Sequence, residues 1–262
     1  MQNSLDISWA QLALFSIVLF IPLLINRYYQ LAITKEILVA VSRMAVQLLL
    51  VGLYLQYFFS INNLFVNIGW IILMVLIGSS AVIGKANLPK RALFMPVLCG
   101  LTAGLLPLML LLCLVIIRPQ PLYSAQYVIP LAGMLLGNSL SSNIVALQNL
   151  FEAFAQRKSE YEGAIALGAS PFAAARPFVL DALKKAQAPI LASMATTGLV
   201  TLPGMMTGQI LGGASPMLAI KYQLVILIAI FVMISVSLTL TLQLSLQRTL
   251  SKTGKIMIKP LS

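Results

Sequence analysis

Apolar residues gather in seven long stretches along the chain, and short polar segments separate these stretches. Each stretch approaches or exceeds the roughly 20 residues that a helix needs to cross about 30 Å of hydrocarbon. Lipid tolerates only helices or closed barrels, and the stretches lack the two-residue alternation of barrel strands, so we predict helices. The predicted spans cover approximately residues 9–25, 37–59, 64–83, 93–117, 125–147, 187–213 and 222–247.

The distribution of basic residues predicts which ends of the spans face the cytoplasm. Arg43 is the only formal charge inside the predicted spans. Fourteen Lys and Arg residues lie in one alternating set of connections and two in the other. The basic set comprises segments 26–36, 84–92, 148–186 and 248–262. By the positive-inside rule, the N-terminus lies outside and the C-terminus is cytoplasmic.

Composition supports the same class of protein. Hydrophobic residues make up 60% of the chain and charged residues 9%, whereas soluble domains contain roughly 45–50% and 25%. We predict one all-α integral membrane domain over residues 1–262, in the bacterial cytoplasmic membrane. We expect this domain to be surrounded by lipid. We attribute the net charge of +11 to the excess of Lys and Arg in one set of connections, and not to nucleic-acid binding.

Several classes of active site are excluded by residue type. The sequence contains no histidine, and the predicted spans contain no Asp or Glu. An intramembrane Ser–His dyad or aspartyl pair therefore cannot form, and we predict neither catalytic residues nor a resident metal site. A retinal-type receptor needs a lysine in mid-membrane, but Lys221 lies at the edge of the seventh span. Cys99 and Cys113 are about 21 Å apart along one helix, too far for a disulfide.

The long cytoplasmic connection, 148–186, is predicted to be helical. Charged residues on one face of 151–167 indicate an amphipathic helix. Gly168 is suited to a left-handed stop, and Ser170-Pro171 is a typical N-cap followed by a first-turn proline. We therefore expect two short helices joined at a fixed angle.

This connection resembles the coupling loop of ABC-transporter permeases, in which a Glu-Ala-Ala triplet is followed after three residues by Gly. Glu162, Ala164 and Gly168 keep that spacing, while Asp181 stands where the pattern closes on Pro. The resemblance implies a short helix that docks in a groove of a separate ATPase, a helix-in-groove contact. The alternative is an amphipathic helix resting on lipid headgroups. The residues expected at the ATPase are Glu162, Ala164, Gly168, Ala169, Ser170 and Pro171.

Most of the chain also resembles the FetB-type permeases, which are bacterial ABC-exporter membrane subunits implicated in iron efflux and related to plant aluminium-tolerance proteins. The similar segments are 41–47, 128–138, 167–171, 198–208 and 219–223. This resemblance implies a homodimer of permeases with two ATPase subunits. ATP and Mg²⁺ would be bound by the ATPase, and no cofactor by this chain. The sequence contains no G-x-x-x-x-G-K-[ST] phosphate loop, in agreement with a permease that is not itself an enzyme.

Polar residues inside spans are candidates for the transport path, because polar groups are costly in lipid. Arg43 and Gln47 share one helix face at a spacing of four, and the alternative for Arg43 is snorkelling to the headgroups. Asn138 and Ser139 lie in the fifth span, where the alternative role is packing between helices.

The sixth stretch carries a second group of path candidates. Pro203-Gly204 predicts a discontinuous helix whose free carbonyls line the path together with Met205, Met206 and Thr207. The alternative is a helix that ends near Leu202, followed by an outer loop over 203–221, with the methionines as core filler. Thioethers prefer soft ions such as Cu(I), so the iron assignment depends on the resemblance and not on ligand chemistry.

Together these features predict the membrane subunit of an ABC exporter for iron, driven by ATP hydrolysis on a separate subunit. The alternative is a permease for another metal, or for a small organic or nucleotide-sugar substrate.

Overall fold

The structure is a computed structural model that describes residues 7–251, and helices dominate this part of the chain. The first four helices are α1 (Trp9–Ser16), α2 (Phe20–Tyr28), α3 (Thr34–Ile61) and α4 (Leu64–Lys85), with a 3₁₀ turn (Ile17–Leu19) joining α1 to α2. They are followed by α5 (Lys90–Leu111), which ends in a π turn (Leu112–Ile116), and by α6 (Ala125–Gln156). The remaining helices are α7 (Lys158–Ala166), α8 (Pro171–Thr196), α9 (Gly204–Leu211) and α10 (Pro216–Thr249).

Within residues 7–251, six helical segments are long and apolar enough to cross a membrane. They correspond to six of the seven predicted spans, with α1, its 3₁₀ turn and α2 acting as one segment. The exception is the stretch 187–213, which is not a continuous helix. There α8 ends at Thr196, and α9 begins at Gly204.

The break between α8 and α9 has local causes. Gly198 adopts a φ of +88°, and the Gly198 N–H donates to the Thr201 carbonyl at 2.9 Å, which closes a tight turn. Pro203 then takes the N-cap position of α9. The predicted interruption is therefore present, but α8 ends earlier than Pro203 because the turn at Gly198 stops it first.

Two helices of the connection over 148–186 differ from expectation. The predicted amphipathic helix over 151–167 is divided at Arg157, because α6 continues to Gln156 and α7 begins at Lys158. Furthermore, only α7 is short. The second helix, α8, has 26 residues and continues without interruption into the sixth apolar stretch.

The core lies between α4, α5, α6, α8 and α10, and the most extensive contact between two helices is that of α5 with α10. Gly100 and Gly104 form a GxxxG pair that allows this approach. A Cβ at Gly100 would collide with Thr241 Oγ1 and would lie 2.8 Å from the Ser237 carbonyl oxygen. Two small residues thus determine how closely these helices pack.

The hairpin formed by α1, α2 and α3 lies at the edge of this core, where Tyr54 and Phe58 of α3 contact the Trp70 ring of α4. None of the 28 residues of α3 is buried. The turn between α2 and α3 is stabilised by Asn26, whose Nδ2 donates to Thr34 Oγ1 at 2.5 Å. At the other end of α3, the Ala125 N–H donates to Asn62 Oδ1 at 2.9 Å, which fixes the hairpin to the start of α6.

Candidate functional site

The joint between α7 and α8 is built by local capping. We call residues 157–172 the elbow. Gly168 has a φ of +94°. The Gly168 N–H donates to the Ile165 carbonyl at 2.9 Å, and the Ala169 N–H to the Ala164 carbonyl at 3.0 Å. This pair of bonds is the Schellman C-terminal motif, so Gly168 acts as the predicted left-handed stop.

The start of α8 also matches the prediction from sequence. Ser170 Oγ accepts a hydrogen bond from the Ala173 N–H at 3.3 Å, and Pro171 occupies the first helical turn. Because the stop and the cap are separated by a single residue, Ala169, little backbone freedom remains between the two helices.

Three aromatic rings brace the elbow from inside. Phe154 of α6 stacks on Phe178 of α8, with ring centroids 4.8 Å apart. Tyr161 of α7 meets Phe154 edge to face at 5.2 Å. All three side chains are buried. Since each ring comes from a different helix, the cluster fixes the relative orientation of α6, α7 and α8.

Arg157 adds a polar clamp at the division between α6 and α7. Its Nε and Nη2 donate to the two carboxylate oxygens of Glu160 at 2.7 and 2.6 Å. Its Nη1 donates to Asp181 Oδ2 at 3.1 Å, and its guanidinium lies 4.8 Å from the centroid of the Phe178 ring. A lysine ammonium could not reproduce the planar, bidentate pair with the Glu160 carboxylate.

The same contacts account for the ionisation of the clamp. Hydrogen bonds from Arg157 hold the pKa of Glu160 below its ordinary value, and the bond to Glu160 is the main cause of the raised pKa of Arg157. Asp181 occupies the position at which the ABC permease pattern has its closing Pro, and it pairs here with Arg157. In this chain an ion pair therefore occupies the place of that proline.

The outer surface of the elbow is partly apolar. Leu167 is 91% exposed and Phe172 is 53% exposed, on either side of the Gly168 joint. Glu162, Gly168 and Ser170 of the predicted docking set are exposed as well, whereas Ala164, Ala169 and Pro171 are half-buried. Leu167 and Phe172 are not among the predicted docking residues, although an apolar residue beside a helix-stop glycine outside a span was a usable signal.

The candidates for the transport path lie on three separate elements. Arg43 and Gln47 are exposed on α3. Asn138 is exposed on α6, where its Nδ2 donates to the Met134 carbonyl at 2.9 Å. Ser139, its neighbour, points into the core and lies 2.7 Å from Ser237 Oγ. Asn138 thus remains a candidate for a path or an interface, whereas Ser139 joins α6 to α10.

Residues after the helix break form the third group. Met205, Met206 and Thr207 are half-buried on α9, and Gly204 is exposed. Thr207 Oγ1 donates to the Pro203 carbonyl at 3.1 Å, so one of the carbonyls near the break is already occupied. Among residues 7–251, no group of three or more His, Cys, Asp or Glu side chains is placed to hold a metal ion.

Comparison with known proteins identifies relatives of similar length. The profile of an uncharacterised protein family, UPF0014, matches residues 9–250. The protein ALUMINUM SENSITIVE 3 of Arabidopsis thaliana is 36% identical over 80% of this chain and 76% of its own. The membrane protein YjkA of Bacillus subtilis is 34% identical, over 84% and 86%. The probable iron export permease protein FetB of Escherichia coli is 30% identical, over 86% and 85%. No solved structure matches.

Proposed function

The chain belongs to the UPF0014 family of multi-pass membrane proteins, and from this premise we propose that it is the membrane-spanning subunit of an ATP-driven iron exporter. The observation that carries the proposal is the elbow, a rigid and partly apolar surface outside the long apolar helices. ATP hydrolysis on a separate ABC subunit would move this surface, and the helices attached to it would carry the movement into the membrane.

The proposed topology has seven crossings, with the N-terminus outside and the C-terminus in the cytoplasm. Six crossings are the long apolar helices, and the second half of α8 together with α9 provides the seventh. The excess of Lys and Arg in the predicted cytoplasmic connections supports this orientation. It also places the elbow on the cytoplasmic side, where ATP is available.

The architecture of the elbow suits the transmission of force. Phe154, Tyr161 and Phe178 pack against one another on the inner side of α7. Arg157 also links Glu160 of α7 to Asp181 of α8. A push on Leu167 or Phe172 would therefore displace α6 and α8 together instead of bending a loop. Both helices continue from the elbow into apolar stretches, so they would convey the motion to the path.

The choice of iron as substrate comes from FetB, whose name describes a probable iron export permease, at 30% identity. The plant relative ALUMINUM SENSITIVE 3, at 36% identity, keeps another metal or a small organic substrate as the second candidate. The assembly we propose contains two copies of this chain and two ATPase subunits, and the ATPase subunits bind ATP and Mg²⁺.

Reconstitution tests this function directly. The chain and its partner ATPase are placed in vesicles, and ATP hydrolysis and metal movement are measured with Fe²⁺, with Fe³⁺, with Al³⁺ and without metal. We expect hydrolysis that requires both proteins and rises with iron. ATP hydrolysis by the chain alone would contradict the proposal that a separate subunit hydrolyses ATP. Stimulation by Al³⁺ but not by iron would show that iron is not the substrate.

A further inference from the structure

Gln47 is a polar side chain at membrane depth without a partner among residues 7–251. It is exposed on α3, and no hydrogen bond joins its amide to another residue in the described part of the chain. Thr34, where α3 begins, is thirteen residues away, about 20 Å along the axis. This distance is too great for the short side chain to reach the headgroups. An unpaired amide is unfavourable in hydrocarbon, so a protein partner is expected there.

A matching surface lies on α6. Gly137, Asn138 and Ser141 are exposed on this helix, and nothing lies within 4 Å of a Cβ built at Gly137. Small residues let a second helix approach closely in a membrane. Asn138 Nδ2 already bonds to Met134 within the helix, whereas Asn138 Oδ1 accepts no hydrogen bond within residues 7–251. It can therefore accept one from a second helix.

The two amides lie at the same depth. The bond from the Ala125 N–H to Asn62 Oδ1 places the end of α3 level with the start of α6. At 1.5 Å per residue, Gln47 is about 22 Å from that level and Asn138 is about 20 Å from it. Within one chain they do not meet, because both side chains are exposed.

We infer that α3 of one copy packs against the Gly137–Ser141 face of α6 in a second copy, and that Gln47 pairs there with Asn138 of the partner subunit. A soluble ATPase cannot reach this depth, and lipid tails offer no hydrogen bond. A second copy carries both halves of the contact, so a two-fold axis forms it twice. Arg43 of α3 lies one turn closer to the cytoplasm and joins the same seam.

This inference deepens the proposed function, because it makes the path a composite of two subunits. Arg43 and Gln47 come from one copy, and Asn138 comes from the other. Three path candidates that one chain leaves on two separate helices, α3 and α6, are thereby brought together.

Cysteine crosslinking between two differently tagged full-length copies tests the contact. Both copies carry Cys99→Ser and Cys113→Ala. One copy also carries Gln47→Cys and the other Asn138→Cys, and native membranes are treated with a short bifunctional thiol reagent. The matched control replaces Asn138→Cys by Ile77→Cys. Ile77 is 59% exposed and, like Asn138, lies thirteen residues after the start of its helix. A second test pair, Arg43→Cys with Ser141→Cys, guards against a single misfolded variant.

We expect both test pairs to give a product that carries both tags, with about tenfold more of it than the Ile77 control, as effective concentration predicts for adjacent sites. Equal yields in test and control, or tags that do not copurify, would overturn the inference. Because crosslinking needs neither ATP nor metal, a positive result without iron-stimulated hydrolysis would reject the proposed substrate and keep the interface.

Discussion

At the scale of single residues, the elbow depends on one backbone conformation. Gly168 has a φ of +94°, which side-chain-bearing residues rarely adopt, although there is open space around a Cβ built there. Gly163, five residues earlier, lies inside α7 and also has open space around its Cβ. Since neither position has a steric obstacle, a comparison of the two glycines isolates the effect of backbone strain at Gly168.

Gly168→Ala is expected to destabilise the elbow by about 1–2 kcal/mol, because an L-residue is strained in the left-handed region. Gly163→Ala is the control and should stabilise α7 by about 0.5–1 kcal/mol. Hydrogen exchange of the α7 amides in detergent or nanodiscs measures both changes. Equal protection in the two variants would show that Gly168 does not need its left-handed conformation.

The features that could be predicted from sequence are those that depend on contacts between neighbouring residues. Gly168 and Ser170-Pro171 act on neighbouring backbone groups, so the sequence alone predicted the joint correctly. The clamp between Arg157 and Asp181 joins residues 24 positions apart, and the aromatic cluster takes one ring from each of three helices. Neither leaves a periodic pattern. The division at Arg157 has no Gly or Pro to mark it, and it was missed for that reason.

At the scale of helices, the pair α5 and α10 holds the core together. Gly100 and Gly104 face Ser237, Thr241 and Met233 so closely that α10 backbone atoms fill the space of a side chain. Apolar periodicity predicted both spans, but not this pairing, since hydropathy does not specify which helix lies against which. Hydrogen bonds among Ser139, Asn143 and Ser237 add α6 to the same contact.

Gly100→Ala should therefore force α5 and α10 apart. The added Cβ would meet Thr241 Oγ1 and the Ser237 carbonyl, and overpacking of this kind costs about 1–3 kcal/mol. Gly69→Ala on α4 is the control, because nothing lies within 4 Å of its Cβ. Thermal unfolding in one detergent should show a lower midpoint for Gly100→Ala only. Similar midpoints for the two variants would contradict the close approach.

At the scale of the whole molecule, the chain divides into a packed body and a loosely attached hairpin. The sequence predicted the apolar helices and the interruption of the sixth stretch, but it did not predict that α8 ends as early as Thr196, because hydropathy does not register the turn at Gly198. Nor does the sequence indicate that α3 buries none of its residues. That feature depends on tertiary packing, and it directs attention to contacts between subunits.

A charge at Leu167 tests whether a separate ATPase drives this chain through the elbow. Leu167→Asp is compared with Leu122→Asp, since both leucines are exposed and lie outside the predicted spans, but Leu122 belongs to the connection between α5 and α6. Copurification of the ATPase and iron-stimulated ATP hydrolysis are measured for both variants. We predict that Leu167→Asp lowers both the ATPase yield and the hydrolysis rate by about tenfold or more, as for a hot-spot residue, while Leu122→Asp retains them. Normal ATPase binding and hydrolysis with Leu167→Asp would contradict the account.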